Sequence, residues 1–420
     1  MNNRQVMEWI PYESLNNIQF IAKGGFDCKV YSGTWLKGNI LYWDSKKKAW
    51  ARNSPVSVAL KQFENSHNIT SNFFEELKTY HLYGSDNNGI IEFYGISQDP
   101  NTKNYILVTE FASKGNLRNY LIENHKSLNW ERKINILLKI SVALQDIHSS
   151  GFTHRNLHGG NILLHDDHEY PKISDLTLSK YIDDNKNQKF YGVLPFVAPE
   201  ILRGEEFSSA ADIYSFSMLM WQVSSGIPPF SNKPYDNQLA IDICNGKRPK
   251  IVSKTPKSFS TLMERCWDAD PSLRPNVQEI TAMLFRWHFS LEQNRSTDIV
   301  NAFMVNNRKT VAAQIDSESH LEVNYNSQLL DFKDLPEPTN YYSRIHCHDS
   351  AYGSSTNTLS SYKPSEASSL SKSSMNSLSD ESKRPPLRKT PTYAESLRKQ
   401  QQASVTYFYH AEPTSKLGKY

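Results

Sequence analysis

The chain has 420 residues, of which 38% are hydrophobic and 22% charged, and its formal net charge at pH 7 is +3. This length allows one or two domains, and the small net charge argues against general attraction to nucleic acid or to an anionic membrane. No apolar run approaches the roughly 20 residues of a membrane-spanning helix, and the N-terminus lacks the basic and apolar regions of a signal peptide. The four widely spaced cysteines, Cys28, Cys244, Cys266 and Cys347, favour a reducing, cytoplasmic compartment and no zinc site.

The first third of the chain is predicted to be rich in β-strands. Aromatic runs on either side of a polar turn predict a hairpin over 38–52, and strands are expected over 56–63 and 103–111. Apolar residues at helical spacing predict one helix in this part, over 71–84.

From about residue 113 the pattern becomes helical. A long amphipathic helix is expected over 130–151, ending at Gly151, and a nearly wholly apolar, buried helix over 209–226. A small β-rich part followed by a larger α-rich part predicts two lobes with a cleft between them.

The composition changes near residue 295, beyond which the chain is polar, serine-rich and interrupted by proline. Such a segment buries too little apolar surface to offset the entropy of ordering it. We therefore expect a short N-terminal lead over 1–15, one folded domain over 16–292 with lobes at 16–111 and 112–292, and a mostly disordered tail over 293–420.

Six short motifs follow one another along the chain. They are "IAKGGFDCKVY" (21–31), "VALK" (58–61), "HRNLHGGN" (154–161), "DLT" (175–177), "APE" (198–200) and "DPSLRP" (270–275). In this order they resemble the eukaryotic protein kinase family, and most closely its tyrosine-kinase-like branch. The resemblance covers about two thirds of the chain and implies an α+β, bilobal protein kinase fold.

The resemblance implies that the cleft binds ATP and Mg²⁺. Lys61 matches the lysine that reaches the phosphates, and Glu76 matches the helix glutamate that pairs with it. Asp175 and Asn161 match the two residues that bind the metal ions, and both carry the oxygen donors that Mg²⁺ prefers.

The same resemblance assigns further nucleotide contacts to the first lobe, to the hinge and to Leu163 of the second lobe. They comprise positions of the phosphate-covering loop, apolar residues around the adenine, a small residue behind the pocket and two hinge residues. In chain order these are Ala22, Gly24, Val30, Ala59, Thr109, Glu110, Ala112 and Leu163. It also implies a buried ion pair between Glu200 and Arg274 and an anchoring acid at Asp212.

Asn156 is the main departure from the family pattern. Active kinases carry an aspartate here that accepts or orients the proton of the substrate hydroxyl. An amide forms hydrogen bonds but does not take up a proton at neutral pH, and general bases contribute about 10²–10⁴-fold to rates. We therefore expect phosphotransferase activity that is very slow or absent.

Two further departures concern the loops around the phosphates. Asp27 stands near the tip of the phosphate-covering loop, where a solvated carboxylate would repel phosphate by about 1 kcal/mol. Thr177 replaces a glycine after Asp175, and its β-branched side chain disfavours positive φ. The first change predicts weakened nucleotide binding. The second predicts that the loop after Asp175 changes its conformation less readily.

Three functions remain open on the sequence alone. The first is a pseudokinase that binds ATP and acts on other signalling proteins, including an active kinase, without binding nucleic acid or membrane. The second is a weakly active Ser/Thr or Tyr kinase in which the substrate's own phosphate takes the proton. The third is a scaffold acting through the basic, proline-rich stretch at 383–393, which contains a candidate phosphosite at Thr390.

Overall fold

The computed structural model describes residues 7–25, 28–64, 66, 89–165, 170–176, 180–181, 190–293, 300–303 and 325–340. The N-terminal part consists of strands β1 Glu8–Trp9, β2 Leu15–Lys23, β3 Cys28–Trp35, β4 Asn39–Asp44, β5 Ala49–Asn53, β6 Val56–Phe63, β7 Phe93–Gln98 and β8 Tyr105–Glu110. Six of them form one sheet in the order β1-β7-β8-β6-β3-β2. Only the β1–β7 pair in this sheet is parallel.

The sheet of this lobe has its own apolar core. Ile10, Trp35, Val58, Leu60 and Val108 are almost completely buried against one another. Val58 and Leu60 share one face of β6 because side chains alternate along a strand. This packing fixes the central strand β6.

The predicted strands and the hairpin of the first lobe are confirmed. The 56–63 strand matches β6, and the 103–111 strand is shortened to β8. Strands β4 and β5 pair as an antiparallel hairpin, with the Trp43 and Trp50 rings 5.1 Å apart. The helix predicted over 71–84 lies outside the described residues.

The second lobe is mainly helical. Its helices are α1 Leu117–Asn124, α2 Trp130–Ser149, α3 Pro199–Leu202, α4 Ser209–Ser225, α5 Asn237–Cys244, α6 Lys257–Cys266 and α7 Val277–Glu292. Short strands connect them: β9 Phe152–Thr153, β10 Ile162–Leu164, β11 Pro171–Ile173, β12 Lys180–Tyr181 and β13 Phe190–Gly192. Strands β10 and β11 pair antiparallel. A strand-rich lobe followed by this helical lobe confirms the bilobal α+β fold.

The two long helices begin and end as their sequences predict. The Asn129 side chain caps α2 by accepting a hydrogen bond from the Arg132 amide, and Gly151 follows it with φ +79°. Gly226, with φ +86°, caps α4 in the left-handed conformation that glycine adopts without a steric cost. Helix α4 is buried along nearly its whole length, as its composition predicts.

Two stretches beyond residue 293 have defined positions. Val300–Phe303 packs on the second lobe, where the Phe303 ring lies 5.6 Å from that of Trp130 and 5.7 Å from that of Trp287. Residues 325–340 contain a further strand, β14 Gln328–Leu330, which pairs antiparallel with β13. The domain limits drawn from composition stay a prediction, and neither stretch was expected from the sequence.

Within the described ranges, no helix combines the length and the apolar character needed to cross a membrane.

Candidate active site

Lys61 lies on β6 in the middle of the sheet. It pairs with Val30 of β3 on one side and with Leu107 of β8 on the other. Its ammonium Nζ lies 2.5 Å from the carboxylate Oδ1 of Asp175, which follows β11 in the second lobe. The predicted phosphate-binding lysine and the predicted metal-binding acid therefore face each other across the cleft.

The loop between β9 and β10 is held by the buried carboxylate of Asp212 on α4. Its two oxygens accept hydrogen bonds from the backbone amides of His154 (2.8 Å) and Arg155 (2.9 Å), and His148 Nε2 lies 2.8 Å from Oδ2. Burial alone would raise the pKa of Asp212, but the hydrogen bond and charge of His148 lead the contacts that hold it below the ordinary value. The anchoring function expected of Asp212 is confirmed by these contacts.

Two residues of the site have strained backbones. Arg155 has φ +68° and Asp175 has φ +61°, a region that L-residues adopt at a cost of about 1–3 kcal/mol. Such strain persists only where the surroundings hold the residue in place. The Asp212 contacts hold the loop at Arg155, and the side-chain contacts of Asp175 converge on the cleft.

The Asp175 carboxylate gathers the predicted polar residues of the site. Its Oδ2 accepts a hydrogen bond from Asn156 Nδ2 (3.1 Å) and a longer one from Asn161 Nδ2 (3.4 Å). Asn161 Nδ2 also donates to the backbone carbonyl of Asn156 (2.9 Å). Lys61, Asn156, Asn161 and Asp175 thus form one contiguous cluster.

The donor set of this cluster fits Mg²⁺ better than a softer metal. Mg²⁺ takes one or two protein oxygen ligands and completes its shell with water and substrate phosphates. Asp175 supplies a carboxylate and Asn161 an amide oxygen. In the part of the chain that is described, no group of three or more His, Cys, Asp or Glu side chains is placed to hold a metal ion.

The side-chain amide of Asn156, which the sequence resemblance assigns to the position of the catalytic base, makes two hydrogen bonds. Its Nδ2 is directed to Asp175, and its Oδ1 accepts a hydrogen bond of 2.8 Å from the Ser327 hydroxyl. His158 Nε2 lies 3.1 Å from the same hydroxyl. A serine hydroxyl is therefore held at this position by an amide and an imidazole.

His158 acts as a hydrogen-bond donor to Ser327. Its Nδ1 accepts the backbone N–H of Gly160 (3.0 Å), so the proton of the neutral ring lies on Nε2. Burial lowers the pKa of His158 to about 3. The imidazole is consequently neutral near pH 7 and has no free nitrogen with which to take the serine proton.

The expected nucleotide contacts lie on or next to strands of the first-lobe sheet that contains Lys61, on the segment that follows β8, and on β10 of the second lobe. Ala22 of β2 pairs with Val30, Ala59 pairs with Thr109, and Leu163 lies on β10. Gly24 donates its amide to the Cys28 carbonyl (2.8 Å), and the Ala112 carbonyl accepts from Gly115 (3.0 Å). The nucleotide contacts of these residues stay predictions.

The Glu110 side chain faces a different set of groups. It accepts hydrogen bonds from the Glu92 amide and from the Lys172 ammonium. Its backbone N–H donates to the Glu92 carbonyl (2.9 Å). Its backbone carbonyl is therefore the part of Glu110 that suits the expected hinge contact.

The expected ion pair in the second lobe is confirmed. Arg274 Nη1 and Nη2 lie 2.6 and 2.8 Å from the two carboxylate oxygens of Glu200. Both residues are buried, so the pair is bidentate and largely shielded from solvent. Four other residues of the sequence argument lie outside the described residues: Asp27, Glu76, Thr177 and Thr390.

Sequence reasoning did not identify Ser327 or His158 as parts of the site. His158 stands within the "HRNLHGGN" motif, two residues after Asn156, and this proximity was the available signal. Ser327 is one serine in a serine-rich segment, 171 positions after Asn156, and no local pattern distinguishes it.

The family model described as "Protein tyrosine and serine/threonine kinase" matches residues 7–284. The chain is 30% identical over 288 residues, 68% of its length, to "Putative serine/threonine-protein kinase/receptor R831" of Acanthamoeba polyphaga mimivirus. It is 29% identical over 289 residues to "Probable serine/threonine-protein kinase kinX" of Dictyostelium discoideum, again 68% of its length. The matches span 16% and 24% of those two proteins.

The matched region contains Lys61, Asn161 and Asp175 and most of the helical lobe, up to residue 284 in α7. The chain belongs to the protein tyrosine and serine/threonine kinase family.

Proposed function

We propose that this kinase domain binds Mg²⁺-ATP and transfers its phosphoryl group very slowly or not at all, acting as a pseudokinase in signalling. In this proposal Lys61 contacts the nucleotide phosphates, and Asp175 and Asn161 hold the metal ion. Bound Mg²⁺ would neutralise charge on the phosphates. Its partners would be signalling proteins in the cytoplasm, including an active kinase.

The observation that carries the proposal is the hydrogen-bonding of Asn156. An amide in the base position accepts a hydrogen bond from an acceptor hydroxyl but does not remove its proton. His158, the other group on that hydroxyl, donates its own proton and has a pKa lowered by burial to about 3. Neither side chain is suited to general-base catalysis, which needs a pKa nearer the working pH.

A weakly active serine/threonine kinase is the second candidate. The Ser327 hydroxyl lies on Asn156 Oδ1 in the arrangement that an acceptor hydroxyl requires, and the relatives named above carry serine/threonine kinase names. Transfer would then proceed with the phosphate taking the proton. The two candidates share nucleotide binding and differ in turnover.

One experiment tests both parts of the proposal on the purified full chain. Mg²⁺-ATP at about 100 times its dissociation constant should stabilise the protein by about 2.7 kcal/mol in a thermal-shift titration, and Asp175→Ala should remove this effect. The absence of any stabilisation would refute nucleotide binding. Phosphoryl transfer at an ordinary rate of about 1–100 s⁻¹, abolished by Asp175→Ala, would refute impairment.

A further inference from the structure

Residues 325–340 lie beyond the family-matched region, which ends at residue 284, yet they extend back into the active-site cleft. Strand β14 pairs antiparallel with β13, with Leu330 opposite Phe190, Leu329 opposite Tyr191 and Gln328 opposite Gly192. Strand β13 lies in the segment between Asp175 and the "APE" motif. Residues 325–340 therefore add the strand β14 to the edge of the cleft. Addition of a strand to a sheet edge is a common mode of peptide recognition.

Ser327 is the residue of this segment that reaches the catalytic residues. Its hydroxyl donates to Asn156 Oδ1 (2.8 Å) and accepts from His158 Nε2 (3.1 Å). On its other side it lies against the phosphate-covering loop, because a Cβ atom added to Gly25 would come within 3.1 Å of the Ser327 Cβ. Ser327 is thus enclosed by both lobes, where an acceptor residue would lie.

Tyr325 anchors the segment on the N-terminal side of Ser327. Its carbonyl accepts a hydrogen bond of 2.8 Å from Arg118 Nη1, and the Arg118 guanidinium lies over its ring at 5.4 Å. The edge of the same ring packs against Tyr235, with centroids 5.9 Å apart and planes at 88°. A cation–π contact and an aromatic pair therefore fix the residue two positions before the serine.

Leu330 anchors the segment on the C-terminal side. Its side chain is 4% exposed and belongs to the main apolar core, whereas that of its neighbour Leu329 is 43% exposed. Neighbouring side chains of a strand point to opposite faces. Only one of these two leucines holds the strand to the domain.

The segment continues along the second lobe through contacts that keep it in place. Arg203 Nη1 pairs with Glu337 (2.6 Å), and the Thr339 amide donates to the Cys244 carbonyl (2.9 Å). The Asn340 carbonyl oxygen Oδ1 accepts from the Ala269 amide (3.0 Å). None of these three contacts involves Ser327, so docking does not depend on Ser327 alone.

We propose that Tyr325–Leu330 is an intramolecular ligand of the acceptor-peptide groove, and that this groove binds extended peptides with a hydroxyl residue at Asn156 and an apolar side chain three positions later. The segment then competes with any peptide supplied by another protein. The inference goes beyond the proposed function, because docking of the strand requires neither nucleotide nor phosphoryl transfer.

The first test measures docking in the unaltered full chain by amide hydrogen exchange. Among residues 190–192 and 328–330, the amides that form hydrogen bonds between the two strands, every second one along each strand, should be protected together. Leu330→Asp should raise exchange in both strands, because it places a charge in the apolar core, whereas the control Leu329→Asp should leave both unchanged. Exchange of residues 328–330 at the rate of a free peptide in the unaltered chain would overturn the proposal.

The second test measures competition with a fluorescent peptide that copies residues 322–333, by anisotropy. If the strand is docked in more than about 90% of molecules, its release should tighten peptide binding by about tenfold or more. We therefore expect the Leu330→Asp protein to bind the peptide more tightly than the unaltered chain does, and the Leu329→Asp protein to bind it equally tightly. A peptide that carries the Leu330→Asp change should not bind.

Equal affinity of the unaltered chain and Leu330→Asp for the peptide would refute the competition. Tyr325→Ala provides a second releasing variant that leaves the core intact, and it should also tighten peptide binding. If Leu330→Asp does not fold, Tyr325→Ala and the exchange measurement on the unaltered chain decide the question. Neither readout uses ATP, so failure of the proposed nucleotide binding would not imitate failure of the docking.

Discussion

Replacing Asn156 by aspartate tests the chemistry of the site directly. Asn156 Nδ2 donates to Asp175 Oδ2 over 3.1 Å. In Asn156→Asp this donor becomes a second carboxylate oxygen, and two unit charges at such a separation repel by roughly 5 kcal/mol at an effective dielectric constant of about 20. Protonation of one carboxylate relieves part of this repulsion, so we expect a net loss of about 2–4 kcal/mol in metal-free protein.

The assay combines thermal unfolding with mass spectrometry. At about 2–4 °C per kcal/mol, Asn156→Asp should melt roughly 10 °C below the unaltered chain in EDTA. In Mg²⁺-ATP the difference in melting temperature between the variant and the unaltered chain should become smaller. The rate of phosphoryl transfer should be about 10²–10⁴-fold higher in the variant. Asn119→Asp on the exposed face of α1 is the control and should change neither quantity.

Two results would refute this reasoning. Equal melting temperatures in EDTA would mean that residues 156 and 175 do not share one polar cluster. Unchanged transfer by a variant that is stabilised by Mg²⁺-ATP would mean that the missing carboxylate does not limit the reaction.

The remaining predictions concern the stability of the second lobe. Arg274→Met should destabilise the protein by about 3–5 kcal/mol in urea unfolding, because it leaves the Glu200 carboxylate buried and unpaired. The control Arg265→Ala breaks a half-exposed pair with Glu279 and should lower the unfolding free energy by no more than about 1 kcal/mol. Equal losses in the two variants would contradict the argument. Lys133 is 4% exposed, and burial lowers its pKa to about 8 from 10.5. Because the folded protein then binds this proton less tightly than the unfolded chain, its unfolding free energy should rise by about 3 kcal/mol between pH 7 and 10.5 relative to Lys133→Met; parallel pH profiles would disprove it.

The sequence predicted those parts of the fold that local pattern determines. The end of α2 at Gly151 follows from a need for positive φ that glycine meets, and Gly151 has φ +79°. The approach of Lys61 to Asp175 was predicted because the family motifs that carry them occur in a known order. Each of these features is encoded within a few residues or by a shared ancestral pattern.

The docking of Ser327 could not be predicted in the same way. Strand β14 has three residues, too few for an alternating pattern to be detected, and it lies in a polar, serine-rich region. Its stability comes from partners such as Asn156, Arg118 and the edge of β13, which are distant in sequence. The function of His158 could not be predicted for a related reason. The position of its ring proton depends on the hydrogen bond that its Nδ1 accepts from the Gly160 amide, which the sequence does not show.

The antiparallel pairing of β14 with β13 also determines what a peptide from another protein needs in order to displace β14. Residues 304–324 join the docked segment to residues 300–303 of the same chain, and a covalently attached ligand meets its site at an effective concentration that a free peptide has to match. An outside peptide must therefore either bind far more tightly than the built-in strand or arrive together with an event that loosens Leu330.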